Sequence, residues 1–113
     1  MVPSIPSIVN KDPVPGSFVI VVEETGDRSP NWAKVMQSKY WDSLATRGLK
    51  YRPFDQDSES GKKYKATLES KGVNVPGLLV IAPDGKLLAA RSLDTSKETT
   101  ETIDATVKEA TSL

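Results

Sequence analysis

The sequence contains neither cysteine nor histidine. Without cysteine the chain can form no disulfide, offers no thiol nucleophile and cannot hold an iron–sulfur cluster or a cysteine-ligated zinc ion. Without histidine it lacks the commonest general base and the commonest nitrogen ligand for metals. Much of the usual catalytic inventory is therefore excluded, and we expect no catalytic residue, no metal site and no cofactor.

The chain also lacks an excess of either charge and any long apolar run. Lysine and arginine together number 15, as do aspartate and glutamate, so the net charge gives no reason to expect binding to nucleic acid or to an anionic membrane surface. No stretch approaches the roughly 18 consecutive apolar residues of a membrane span. No basic start followed by an apolar block marks a signal peptide. The length of 113 residues suits one domain, while compartment and oligomeric state stay open.

What the sequence does have is an organising stretch at residues 72–90. A glycine-containing turn and the Val75–Pro76 step precede an apolar run at residues 78–82. A Pro-Asp-Gly turn and a second apolar run follow. Apolar runs on both sides of an Asp-Gly turn are a strong short-range signal for a β-hairpin. We therefore predict a hairpin at this position.

The other elements follow from apolar periodicity and from capping residues. Their predicted order is strand, helix, strand, helix, hairpin, helix. The first strand covers residues 17–22, and the helix after it has Ser29 as N-cap and Pro30 in its first turn and ends at Gly48. The second strand covers residues 49–54, and the next helix is capped by Asp57 or Ser58 and ends near Gly72. After the hairpin, the last helix begins with a capping box of Thr95 and Glu98 and carries Ile103, Val107 and Ala110 on one face.

The first 16 residues are rich in proline. They hold four of the eight prolines of the chain, a spacing that prevents a helix and favours an extended, polyproline-like segment. We interpret residues 1–16 as an arm or a linker. Ile5, Ile8 and Val9 are the apolar residues with which such an arm can pack along the domain.

The order of elements, with a proline that opens the last hairpin, resembles the thioredoxin-like fold. In that family the last hairpin begins with a cis-proline after a small or β-branched residue, which implies a cis bond between Val75 and Pro76. The resemblance covers about residues 17–111. It implies an α/β domain with a central four-stranded mixed sheet and helices on both faces, in the order β-α-β-α-β-β-α. The chain is thus divided into residues 1–16 and a thioredoxin-like domain at residues 17–113.

The family's redox motif is where the resemblance ends. Thioredoxin-like enzymes carry Cys-x-x-Cys between the first strand of this core and the next helix. Aligning Pro30 with the proline common in that motif puts Arg28 and Asn31 in the positions of the two cysteines. Disulfide exchange requires a thiolate, and no cysteine occurs elsewhere. We therefore expect a redox-inactive domain that is not a dithiol oxidoreductase.

The resemblance also implies a groove between the helix start and the residue before the cis-proline, which in this family receives an extended peptide or a glutathione-like ligand. The helix dipole, free N–H groups and Arg28 would make it attractive to anions. The structural alternative is that Ser29 caps the helix, Arg28 is solvated and Trp32 belongs to the core. The candidate binding residues are Arg28, Ser29, Asn31, Trp32, Val75 and Pro76.

Two other features have structural interpretations. Residues 55–59 place carboxylates at alternate positions, but Ser60 and Ala66 stand where an EF-hand needs glycine and a bidentate glutamate, so we interpret the acids as residues of a helix start. Tyr40 and Trp41 are adjacent on a helix and face different directions. One of them is expected near the surface, as an alternative contact for a partner.

The sequence thus predicts a redox-inactive binding or structural module that recognises a peptide or protein partner at the cis-proline groove. One alternative is an enzyme that binds a glutathione-like thiol cofactor and activates it with a hydroxyl such as that of Ser29 or a tyrosine. Another is a domain that only packs within a larger secreted or virion assembly. The resemblance sets these expectations by analogy of fold.

Overall fold

A computed structural model of the chain describes residues 12–113. The elements in order are strand β1 (Phe18–Glu23), a 3₁₀ turn (Thr25–Asp27), helices α1 (Pro30–Met36) and α2 (Tyr40–Thr46), strand β2 (Lys50–Asp55), helix α3 (Glu59–Ser70), strands β3 (Gly77–Ile81) and β4 (Leu87–Ser92), and helix α4 (Thr100–Thr111). Most of the predicted arm, residues 1–11, lies outside the described residues, so the division at residue 16 stays a prediction.

The four strands form one mixed sheet in the order β2-β1-β3-β4. Strand β1 pairs parallel with β2 and antiparallel with β3, and β3 pairs antiparallel with β4. This topology confirms the predicted α/β fold class, including the hairpin of β3 and β4. Over residues 12–113 no helix combines the length and the apolar character that crossing a membrane requires.

Alternate residues of β1 face two separate cores, which explains its uninterrupted apolar run. Val19 and Val21 pack against α1, α2 and α4 in a cluster that includes both tryptophans. Ile20 and Val22 pack on the opposite face, against Leu68 of α3. The helices therefore cover both faces of the sheet.

The single helix predicted between Pro30 and Gly48 is wrong, because the chain forms two helices there. Trp32 and Trp41 are 1% and 5% exposed, yet nine positions at about 100° per residue place two side chains on opposite sides of one straight helix. The break solves this conflict. The carbonyl of Val35 accepts hydrogen bonds from the Ser38 N–H at 3.1 Å and from the indole of Trp41 at 3.0 Å. Both indoles thereby reach the same core.

The predicted capping box at Thr95 and Glu98 is also wrong. Residues 95–97 form a turn, and α4 begins four residues later than predicted, with Thr99 as its N-cap. The Thr99 side chain accepts from the Thr102 N–H at 3.2 Å, and Thr102 Oγ1 accepts from the Thr99 N–H at 3.0 Å. Glu98 is buried instead. The face of α4 was predicted correctly, since Ile103, Val107 and Ala110 are all buried.

Helix α3 begins as predicted, with Ser58 as its cap. Its hydroxyl accepts from the N–H of Gly61 at 3.0 Å. Gly61 lies so close to the preceding strand that a Cβ there would stand 1.8 Å from the carbonyl oxygen of Asp55. The glycine therefore serves the packing of the helix start, in keeping with the structural interpretation of residues 55–59.

Candidate functional site

The candidate site lies where the carboxyl end of β1 meets the start of β3. The strand register pairs Val22 with Gly77, so the loop after β1 lies beside the residues that precede β3. The peptide bond between Val75 and Pro76 is cis, and both residues are half-buried. A cleft of about 290 Å³ opens at this junction. It is lined by Glu23, Glu24, Asp27, Trp32, Gln56, Val75, Pro76 and Thr95.

Three of the six predicted site residues line this cleft, namely Trp32, Val75 and Pro76. Trp32 contributes only an edge, because its side chain is 1% exposed and belongs to the core, which was the structural alternative. Arg28, Ser29 and Asn31 do not line the cleft. The structure therefore brings together half of the predicted set.

Arg28 forms an ion pair within the protein, and its side chain remains 28% exposed. Its Nε and a terminal nitrogen donate to the two carboxylate oxygens of Glu23, at 2.8 and 2.7 Å. The Glu23 side chain is 2% exposed and also accepts a hydrogen bond from the Trp32 indole at 2.9 Å. The hydrogen bonds to Glu23 outweigh partial burial and raise the pKa of Arg28 above its usual value. The ion pair with Glu23 offsets the positive charge that Arg28 would present to an anionic ligand, and the expectation that Arg28 binds such a ligand stays a prediction.

Ser29 and Asn31 hold a neighbouring turn. The hydroxyl of Ser29 caps α1 by accepting from the Trp32 N–H at 3.1 Å, as predicted, and donates to the carbonyl of Thr95 at 3.1 Å. The amide of Asn31 donates to the carbonyls of Thr95 and Glu98 at 2.9 and 3.0 Å. These bonds fix the turn that carries Thr95 to the cleft, so both residues act on the site indirectly.

The cleft is acidic, which the sequence analysis missed. Glu24 is half-buried and Asp27 exposed, and both line the opening. Glu24 accepts hydrogen bonds from the Gln56 amide at 2.8 Å and from the Gly26 N–H at 3.3 Å, and these bonds hold its side chain in place. The signal in the sequence was the run of acids directly after a buried strand, since the carboxyl end of a strand in an open α/β sheet faces the binding crevice.

Next to these acids lies an unpaired segment of backbone. Among residues 12–113, neither the N–H nor the C=O of Val75 has a hydrogen-bond partner. Pro76 is paired, because its carbonyl accepts from the Leu93 N–H at 2.9 Å. The cleft therefore offers one free donor, one free acceptor and the carboxylates of Glu24 and Asp27.

A carboxylate group close to the cleft has the composition of a cation site. Oxygens of Glu24, Asp55 and Asp57 lie within 4.8 Å of one another. The protein already supplies donors, since Asp55 accepts from the N–H and the hydroxyl of Thr25, both at 2.9 Å. The Thr25 N–H is the main cause of the lowered pKa of Asp55. These hydrogen bonds join the loop after β1 to the end of β2, and this structural role accounts for the grouping of the three carboxylates.

Two tyrosines of the domain have raised pKa values. Burial and the negative charge of Glu23 raise the pKa of Tyr51. Burial and a hydrogen bond to Asp104, at 2.8 Å, raise that of Tyr40. Tyr40 is the half-exposed member of the Tyr40–Trp41 pair, and Trp41 stacks on Tyr51 with ring centroids 4.4 Å apart. Neither tyrosine has the lowered pKa that a nucleophilic or thiol-activating hydroxyl needs.

The comparisons with known proteins identify the fold. No protein-family model and no curated protein matches the chain. Among solved structures it is similar to "DsbH Oxidoreductase", with 19% identity over 87% of this chain and 74% of that one and a TM-score of 0.55. It is also similar to a disulphide isomerase from Xylella fastidiosa Temecula1, with 12% identity over 82% and 77% of the two chains and a TM-score of 0.56. The chain therefore has a thioredoxin-like fold, and it lacks the cysteines of that fold's redox motif.

Proposed function

We propose that this domain is a non-catalytic binding module whose cis-proline cleft takes an extended segment of a partner protein. The observation that carries the proposal is the unpaired backbone of Val75 beside a cleft that no thiol occupies. An extended chain laid along Val75 can satisfy both groups by adding a short strand. Side chains of the ligand would then alternate between the cleft and solvent.

The charge of the cleft determines which kind of partner segment it can bind. Glu24 and Asp27 face the opening, while Glu23 is neutralised by Arg28. Opposite charges across a rim guide encounter and fix register, although each exposed pair contributes only about 0–1 kcal/mol. We therefore propose a partner segment that carries lysine or arginine, in contrast to the acidic ligand that the sequence suggested.

We further propose that the domain catalyses no reaction. The alternative of a thiol-cofactor enzyme needs an activated hydroxyl, and Ser29 already forms two hydrogen bonds while the tyrosines have raised pKa values. A glutathione-like ligand carries carboxylates, which Glu24 and Asp27 would repel. These observations favour binding over turnover.

A peptide array of extended segments, balanced between basic and acidic sequences, tests the proposal. We expect basic peptides to be retained, and the double variant Glu24→Lys/Asp27→Lys to bind the best of them about tenfold more weakly, roughly 1.4 kcal/mol. The interaction should also weaken from 50 to 300 mM salt because exposed charges are screened. The control is Glu69→Lys, a single charge reversal at an exposed site in the last turn of α3.

Three results would count against the proposal. Equal retention of acidic and basic peptides would remove the charge preference. Equal loss in the Glu69→Lys control would place the effect on net charge rather than on the cleft. Retention of no peptide, with a circular dichroism spectrum of a folded protein, would favour the domain that only packs within a larger assembly.

A further inference from the structure

Helix α3 covers one end of its face of the sheet. Near the start of the helix, Gly61 lies against the backbone of Asp55, and near its end Leu68 lies against Gly77. Asp55 and Gly77 both stand beside the last two residues of β1. The helix therefore crosses the strands at this end, and the end where β1 begins presents the side chains of the strands themselves.

A row of four side chains crosses the sheet at the end where β1 begins. The register pairs Phe18 with Lys50 of β2 and with Ile81 of β3, and it pairs Ile81 in turn with Leu87 of β4. Directly paired residues point to the same face of a sheet, here the face on which α3 packs. Phe18, Ile81 and Leu87 are half-buried, and Lys50 is exposed. The row is thus a partly exposed apolar stripe with a cation at its β2 end.

Two cations border this apolar stripe, which consists of Phe18, Ile81 and Leu87. The ammonium nitrogen of Lys50 lies 5.1 Å from the centroid of the Phe18 ring, and the guanidinium carbon of Arg52 lies 5.8 Å from it. Cations at such distances are attracted to an aromatic ring, which keeps both charges beside the stripe. Within residues 12–113 neither cation forms an ion pair. The described carboxylates therefore leave this positive charge available to a partner.

The stripe has the spacing of one face of an α-helix. Neighbouring strands lie about 4.8 Å apart, and this distance separates the successive residues of the stripe across the sheet. Apolar side chains at positions i, i+3 or i+4, and i+7 of a helix repeat about once per turn of 5.4 Å. A helix laid across the strands can therefore place one apolar side chain beside each residue of the stripe.

A second copy of this chain fits the same face less well. An isologous contact brings the same patch of both copies together, so Lys50 and Arg52 of both molecules would enter one interface. The row of paired residues contains no carboxylate to offset these four cations, and like charges brought together across an interface disfavour it. The charge favours an acidic partner instead.

We propose that this face docks an amphipathic helix of a partner protein, which lays apolar side chains on Phe18, Ile81 and Leu87 and acidic side chains on Lys50 and Arg52. An amphipathic helix on an apolar surface is a recurring mode of recognition. The cations border one end of the stripe, so they also fix the direction of the helix. Docking here is independent of the function proposed for the cis-proline cleft, because that cleft lies at the other end of β1.

Designed helical peptides test the proposal with the full-length protein. Three peptides of about 18 residues, long enough to form a helix in water, share one stripe of leucines and carry glutamate, glutamine or lysine beside one end of it. In fluorescence anisotropy titrations, we expect the glutamate peptide to bind at least tenfold more tightly than the lysine peptide. The amides of Phe18, Ile81 and Leu87 should shift on binding, while the Val75 amide should not.

Charge reversal at the two cations identifies the surface. The double variant Lys50→Glu/Arg52→Glu should bind the glutamate peptide at least tenfold more weakly than the natural protein and should prefer the lysine peptide. Both residues are exposed, and circular dichroism checks that the variant is folded. The matched control is Lys34→Glu/Lys39→Glu, the same double reversal at exposed sites in α1 and just before α2, helices that cover the opposite face.

Several results would overturn the proposal. These are binding of none of the three peptides, equal affinity for the glutamate and lysine peptides, and equal weakening in the Lys34→Glu/Lys39→Glu control. Dimers of the natural protein that Leu87→Asp abolishes would assign the face to a second copy. Binding to vesicles of anionic lipid, without binding to the peptides, would assign it to a membrane surface. Peptide binding that requires removal of residues 1–11 would show that the chain itself occupies the face.

Discussion

Arg28 donates two hydrogen bonds to the buried carboxylate of Glu23, and the indole of Trp32 donates a third. In the alignment with Cys-x-x-Cys, Arg28 stands where thioredoxin-like enzymes carry a cysteine. The end of β1 and the start of α1 are therefore joined by an ion pair and an indole. The same ion pair neutralises the positive charge beside the cis-proline cleft. The electrostatic potential in the cleft is therefore determined by Glu24 and Asp27.

Arg28→Ala should destabilise the fold by about 2–3 kcal/mol. The substitution leaves the Glu23 carboxylate buried without its cation, which typically costs about 3–5 kcal/mol for a fully buried pair. The Arg28 side chain is 28% exposed, so water can replace part of what is lost. Urea denaturation at neutral pH measures the difference.

The control for this substitution is Arg52→Ala. Arg52 is exposed, and its guanidinium carbon lies 5.8 Å from the ring centroid of Phe18, so its loss should cost no more than about 0.5–1 kcal/mol. Equal destabilisation by the two variants would contradict a specific role for the Arg28–Glu23 pair.

Thr99→Ala should cost about 1 kcal/mol, because Thr99 is the cap of α4. Thr95→Ala, at the position that the sequence wrongly indicated, should cost less than about 0.5 kcal/mol, since the bonds at Thr95 involve its carbonyl. Thermal or urea unfolding of the two variants compares them. A larger loss of stability in Thr95→Ala than in Thr99→Ala would contradict the assignment of Thr99 as the N-cap of α4.

The stability of the fold should fall steeply in acid because of Glu98. Burial opposes its ionisation, but bonds from Arg91, Thr102 and the Asp94 N–H prevail and lower its pKa from 4.5 to about 2. The folded state thus binds this proton more weakly than the unfolded state. The stabilisation is complete above about pH 5 and is lost as the pH falls through 4.5 towards 2, by on the order of 3 kcal/mol.

Urea titrations between pH 6 and pH 2 measure this loss. The variant Glu98→Gln should show a shallower decline, while the exposed Glu101→Gln should follow the natural protein. Parallel curves for all three proteins would show that Glu98 is not responsible for the acid sensitivity.

The purified protein should show no insulin reduction, thiol peroxidase or disulfide isomerase activity above buffer. Each reaction needs a thiolate, and the chain contains none. Standard turnover assays with a thioredoxin as positive control make the comparison. Activity that persists after repurification would contradict the account.

The fold was predictable because its signals are local and agree with one another. The β-branched run of β1 indicates burial on both faces, the Asp-Gly turn indicates the hairpin, and Ser29 and Ser58 cap helices as expected. The break between α1 and α2 could also have been predicted from the sequence. Two tryptophans nine residues apart cannot share one face of a straight helix, so burying both required a bend.

The site was less predictable because its charges are set by tertiary contacts. The sequence around Arg28 does not show whether its side chain faces a ligand or pairs with Glu23. The turn between β1 and α1 brings Arg28 and Glu23 together. The acids were visible in the run after β1, but their place beside Val75 depends on the pairing of β1 with β3. The resemblance predicted a groove here with Arg28 as its charged residue, whereas the cleft in the structure is lined by Glu24 and Asp27.

Chemical-shift mapping with the basic peptide that binds best tests the central claim most directly. The account predicts that the Val75 amide, the Asp27 amide and the Trp32 indole N–H shift together and saturate with one affinity. The Glu24→Lys/Asp27→Lys variant should lose these shifts, and Glu69→Lys should keep them. Shifts confined to the Tyr40–Trp41 corner or to β4, with Val75 and Asp27 silent, would contradict a binding site at the cis-proline cleft.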